Sequence, residues 1–108
     1  MRRGKWKRSL SEHNSDEARI IKTQLIKSST SVPANIAEGF GGNKGKVFQN
    51  SLTIARREAS ETDYWLLLSF EERYIKDSEE HESMEIGYRE VIAMLSSLIA
   101  KVSKPVDS

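Results

Sequence analysis

Phe48, Leu52, Ala55, Ala59, Thr62 and Leu66 recur at alternating spacings of four and three, a rhythm that only an α-helix turns into one continuous seam. A chain built round that seam must bring at least one further helix to cover it. Beside it runs a second stripe, Val47, Ile54, Glu58, Glu61, Trp65 and Leu68, which widens the face so that more than one neighbour can wrap it. The spacing predicts a helix over residues 46 to 74. Met84, Tyr88, Val91, Leu95, Leu98 and Val102 repeat the pattern near the C-terminus, with Asp77 or Ser78 able to cap the start ahead of Glu79 and Glu80. That helix should end before Pro105. The short stretch between the two leaves room for a turn only, so they are expected to run antiparallel.

An earlier helical segment is expected from Ser15, an N-cap candidate followed by Asp16 and Glu17, through Ile21, Leu25, Val32 and Ile36 to a stop at Gly39. Pro33 lacks a backbone N–H and disfavours helical geometry at Val32, which predicts a kink or break near Ser31. Small residues crowd this stretch: Ser28, Ser29, Thr30, Ser31 and Ala34 would let another backbone come close. The glycine-rich run Gly39-Phe40-Gly41-Gly42-Asn43-Lys44-Gly45 then allows the chain to reverse. Residues 15–104 thus form a single helical domain, between a basic tail or short helix at 1–14 and a tail at 105–108. With 108 residues, one modest core is what the chain can build.

Composition narrows the chemistry. Charged residues nearly balance, 17 basic against 16 acidic, so there is no global pull towards nucleic acid and any basic footprint is local. The absence of cysteine removes disulfides, thiolate nucleophiles and cysteine-ligated metals. A basic start with no apolar run behind it does not make a signal peptide, and the apolar stretch at residues 91–102 is too short and too polar to cross a bilayer. A cytoplasmic location is the expectation.

The run Ser28-Ser29-Thr30-Ser31-Val32-Pro33-Ala34-Asn35-Ile36-Ala37-Glu38-Gly39, with serines ahead of an Asn-Ile-x-Glu-Gly stretch, resembles the signature of the S23-type, four-helix-bundle proteins of 23S rRNA intervening sequences. The order Phe48, Leu52, Ile54-Ala55, Glu58-Ala59, Glu61-Thr62 and Tyr64-Trp65-Leu66 is similar to the long central helix of that bacterial family. Together the two motifs cover about residues 22 to 102. The resemblance implies an all-α fold, an antiparallel up-and-down helical bundle, often assembled as a pentameric homo-oligomer, with no enzymatic activity and no cofactor. Some members are encoded within 23S rRNA genes. Related proteins accompany the reverse transcriptases of diversity-generating retroelements, so nucleic acid and a polymerase-like protein are the partners the resemblance suggests. Members carry a full amphipathic helix ahead of the segment that starts here near Ser15, so the first helix is expected to be shortened or missing. Partner chains, or a rearranged N-terminal segment, would then cover the apolar surface it leaves.

Glu58 and Glu61 sit one turn apart on the second stripe. A carboxylate-bridged metal site would need Glu-x-x-His company, which the chain lacks, and His13 and His81 fall at expected ends or linkers. Buried carboxylates need partners, so Ser31, Asn35, Glu38, Glu58 and Glu61 are expected to form a structural polar layer that sets the register of two helices. The serine run has no adjacent histidine to activate a hydroxyl, so no catalytic residue is assigned. Gly-x-x-x-Gly-Lys at residues 41–46 misses the Walker spacing by one residue and is followed by Val47 where Ser or Thr belongs. A dinucleotide fingerprint fails as well, because Lys44 stands at the third glycine.

Basic residues gather twice: Arg2, Arg3, Lys5, Lys7 and Arg8 around Trp6, and Lys44, Lys46, Arg56 and Arg57 on or near the central helix. Ordinary solvated charge accounts for isolated lysines. Clusters with an aromatic can neutralise phosphates and stack on a base, giving salt-sensitive, sequence-tolerant affinity that a ring would multiply. The expected function is therefore a non-enzymatic oligomeric binding module for RNA or DNA, with a protein-interaction scaffold as the alternative. Membrane-surface binding is set aside because the polar helix faces are mixed in sign.

Overall fold

The computed structural model describes residues 15–41 and 45–103. They form three helices of 26 residues each: α1 (Asp16–Gly41), α2 (Lys46–Glu71) and α3 (Ser78–Ser103). Among the described residues there is no strand. Lys44 and the N-terminal positions Arg2, Arg3, Lys5, Lys7 and Arg8 lie outside them, as does His13.

α1 and α3 start where a side chain accepts a first-turn N–H, and α2 starts at a glycine with no side-chain cap. Ser15 Oγ accepts the Ala18 N–H at 3.1 Å, and Asp16 and Glu17 occupy the first turn of α1, where the dipole favours them. Asp77 Oδ1 does the same for the Glu80 N–H at 3.1 Å in α3. Before α2, Gly45 adopts φ +82, a conformation that residues with a Cβ rarely take. The helix it opens stops at Glu71, short of the expected residue 74, in a paired reversal. Arg73 N–H donates to the Phe70 carbonyl at 3.0 Å and Tyr74 N–H to the Ser69 carbonyl at 2.8 Å, with Arg73 itself left-handed at φ 64. These are the two bonds of a Schellman ending, built here on an arginine instead of a glycine. α3 ends at Ser103, ahead of Pro105 as expected.

Pro33 does not break α1, which also runs past Gly39 to Gly41. Side chains on either side of the proline bond back along the helix. The Thr30 and Ser31 hydroxyls donate to the Ile26 and Lys27 carbonyls at 2.7 and 2.9 Å, and the Asn35 amide donates to the Ser31 carbonyl at 2.8 Å. Pro33 is exposed, so water can serve the carbonyl it leaves unpaired, while Val32 and Ser28 hold the opposite face in the core.

α2 lies between the other two helices and packs on both; α1 and α3 make no close backbone approach. Its seam fills two apolar clusters. At one end Leu66 meets Ala18, Ile21 and Leu25 of α1, Ile75 of the turn and Met84 of α3. At the other, Leu52 and Ala55 meet Leu95 and Ile99 of α3. Between the clusters, buried Ser28, Ala59 and Thr62 are small enough to keep the backbones close. Gly39 continues this close approach, since a Cβ there would sit 3.1 Å from Phe48 Cδ1 and 3.3 Å from Ser51 Cβ. Gln49, near the start of α2, donates to Ser103 at the end of α3 (2.8 Å), while Phe70 at the end of α2 stacks on His81 near the start of α3 (4.3 Å). His81, expected at a helix end or in a linker, lies in the first turn of α3 and is buried.

Candidate functional site

Among the described residues, an outer face and a groove both bring apolar side chains to the surface. One is an outer cleft of about 530 Å³ where α1 meets α2, lined by Gln24, Arg57, Ser60, Glu61, Tyr64 and Trp65. Tyr64 is 57% exposed, and its ring meets Trp65 edge-on with centroids 5.1 Å apart. Along α1 the cleft continues, through the shared Gln24, into a second one lined by Asp16, Arg19, Ile20 and Thr23. Ile20 is likewise 57% exposed. Arg19 is already paired with Asp16. Wetted isoleucine and tyrosine beside tryptophan and arginine form a patch rich in the residue types that dominate binding surfaces.

The other surface is the groove left between α1 and α3, about 500 Å³, with Val32 and Pro33 on one wall and Met84, Gly87, Tyr88 and Val91 on the other. Burial raises the Tyr88 phenol above its ordinary pKa. On the α2–α3 side, burial and then the Glu85 carboxylate hold the Asp63 carboxyl above its usual range, against Arg89 and His81, which pull it down. Glu85 itself pairs with Arg89 at 3.6 Å.

The basic residues of the central helix do not form one patch. Consecutive helical residues point about 100° apart. Arg57 is exposed in the outer cleft, whereas Arg56 turns towards α3 and donates to Ser96 Oγ at 3.3 Å. Lys46 is exposed at the first position of α2, three turns from Arg57 on the same side. The five residues expected to form a polar layer are also spread out. Ser31 and Asn35 bond within their own helix, Glu38 and Glu61 are exposed, and half-buried Glu58 contributes its main-chain carbonyl to Thr62 at 2.8 Å. Glu58 and Glu61 each stand one position before a seam residue, Ala59 and Thr62, which turns them towards the rim.

The hydrogen bond that does cross from α2 to α1 joins Thr62 Oγ1 to Ser28 Oγ at 2.8 Å, both side chains being buried. Both residues stood in view in the sequence, Thr62 on the seam and Ser28 in the small-residue run. The signal for their pairing was a hydroxyl at a position otherwise held by apolar residues. Among the described residues, no three His, Asp or Glu side chains gather where they could hold a metal ion. No described helix is long and apolar enough to cross a membrane.

This architecture defines a small all-α helical-bundle protein. A family model described as 23S rRNA-intervening sequence protein matches residues 6–97. The fold is similar to that of a protein with unknown function from the S23 ribosomal protein family of Bacteroides thetaiotaomicron VPI-5482, with a TM-score of 0.71 and 38% identity over 74% of this chain and 73% of that one. No curated protein matches the chain. The chain belongs to the 23S rRNA-intervening sequence protein family.

Proposed function

We propose that the protein is a non-catalytic binding module that self-associates through the outer α1–α2 face. The observation that carries this reading is that two adjoining clefts sharing Gln24 hold exposed Tyr64 with Trp65 and Arg57 in one and exposed Ile20 in the other. Tyr64 and Ile20 are each more than half in water, and a second surface laid over them removes that apolar area from water. Burying the exposed half of each side chain against another surface is worth about 1–1.5 kcal/mol. Arg57 and Glu61 stand in the same cleft, so a second copy meets both signs of charge and orientation is fixed by pairing them. The three described helices form a helical bundle, and repetition of the face round a ring would close it.

The experiment is mass determination by light scattering on the full chain and on Tyr64→Glu. The reading expects a closed oligomer for the parent chain and a smaller, still helical species for the variant. A folded parent monomer at micromolar concentration overturns it.

A second reading, nucleic-acid binding, is favoured by one specific feature. Arg57 lies beside two aromatic rings, so a base could stack while the guanidinium meets a phosphate. It also draws on the family's link to ribosomal RNA genes. Titration with labelled single-stranded RNA at two salt concentrations tests it: affinity that falls steeply with salt and weakens in Arg57→Ala supports it, and no binding at low salt removes it.

A further inference from the structure

α3 changes character along its length. Its first half carries Glu79, Glu80, Glu82, Glu85, Arg89 and Glu90, the chemistry of a helix that turns one side to water. Residues 91–100 hold no charged side chain on any side. Leu95 and Ile99 point into the core with Leu52 and Ala55, which accounts for one side of this stretch. The opposite side is Ala93, Met94, Ser97 and Ala100, all exposed, with Met94 at 57%; Ile86 extends the same face at 49%. A helix without charge all round is normally covered all round. Among the described helices, α3 makes its close backbone approach to α2 alone, so this outer side stays open.

Charge marks both ends of the open stretch. Glu90 stands immediately before it and Lys101 immediately after, both exposed and neither in an ion pair with another described residue. From Glu90 to Lys101 the helix rises about 16 Å in about three turns, so the two charges project on one side with Ala93, Met94 and Ser97 between them. A second α3 laid parallel on this face would set Glu90 against Glu90 and Lys101 against Lys101. Laid antiparallel, it matches opposite signs. With Ala93 across from the partner's Ser97, Glu90 comes alongside the partner's Lys101, and Lys101 alongside the partner's Glu90, each within about 2 Å along the axis. Alanine and serine are short enough to let the two backbones approach, which lays Met94 of each copy on the other helix.

We propose that the outer face of α3 is a twofold contact between copies of this chain, an antiparallel pair of α3 helices centred on Ala93 and Ser97 and closed at both ends by Glu90 and Lys101. The apolar side chains supply the affinity; exposed ion pairs contribute little to it and act by fixing direction and register. Such a contact is self-complementary and closes on itself. It does not rest on the outer α1–α2 reading, because it uses a different helix. The smaller species that Tyr64→Glu releases is then a dimer.

Charge reversal tests it, read as mass by light scattering over a concentration series on the full-length Tyr64→Glu chain, where the other face is silenced. The proposal expects that chain to be a dimer. Adding Glu90→Lys places like charges together at both ends and should weaken the dimer about ten-fold or more. Adding Lys101→Glu as well should restore it. Both positions are exposed, so the helices tolerate the changes, which circular dichroism verifies. A Tyr64→Glu chain that stays monomeric, a dimer indifferent to Glu90→Lys, or one that the double reversal does not recover overturns the proposal. If Tyr64→Glu leaves a larger parent assembly whole, the outer α1–α2 reading fails on its own. The same reversals then read the α3 contact on that assembly, which should break with Glu90→Lys and re-form with the pair; an assembly they leave unaltered overturns the proposal equally.

Discussion

At the scale of single residues, the buried Ser28–Thr62 contact shows how a short hydrogen bond can stand in for a larger polar layer. Thr62→Val leaves the Ser28 hydroxyl with only the Leu25 carbonyl at 3.5 Å, so it should cost about 1–2 kcal/mol. Ser28→Ala combined with Thr62→Val should cost less than the two single changes added together, because both polar atoms leave at once; urea denaturation of the four-member cycle reads this coupling. Asp63 gives a pH-dependent case. Its folded pKa is raised above 3.8 by burial and by Glu85, so its favourable contribution exists only where the carboxyl is protonated and is lost as pH rises through the folded value. At neutral pH the carboxylate is thus a burden, even with Arg89 and His81 nearby. Asp63→Asn should raise the melting temperature at pH 7, and the advantage should vanish in melts recorded below the unfolded pKa of 3.8.

On the scale of helices, the parts legible in the sequence were those fixed by local chemistry. Ser15 and Asp77 cap the helices they were expected to open, because an Asp or Ser oxygen meets N–H groups three residues on whatever the tertiary context. Pro33 misled for the opposite reason: its penalty is local, but Val32 and Ser28 are anchored in the core and the neighbouring hydroxyls bond back along the helix. Pro33→Ala should therefore stabilise the bundle by about 1–3 kcal/mol, as a restored backbone bond replaces a tolerated defect. Arg73 was not foreseeable as a helix terminator, since nothing in its type prefers φ 64. Arg73→Gly should gain about 1 kcal/mol by removing the left-handed penalty, read as a higher denaturation midpoint with unchanged helicity. The basic cluster on α2 was visible as composition, yet its division between two faces follows from a rotation of about 100° between Arg56 and Arg57 that counting charges does not register.

For the whole molecule, the central seam dictated that α2 be wrapped on two sides, and α1 and α3 do so without meeting each other. That arrangement generates both surfaces of interest, the groove between the flanking helices and the outer cleft where α1 meets α2. The groove could not be read from periodicity, which says which residues face inward but not which pair of helices stays apart. Nor could the cleft, because Ile20 and Tyr64 stand outside the apolar stripes and periodicity does not tell how they gather at the surface.

The claim that the outer α1–α2 face joins copies of the chain is tested most directly by native mass spectrometry of the parent protein beside Tyr64→Glu and Ile20→Glu. One discrete oligomer for the parent, with both substitutions releasing smaller folded species, is the result predicted here. A parent that flies as a folded monomer, or an oligomer untouched by either substitution, would contradict it.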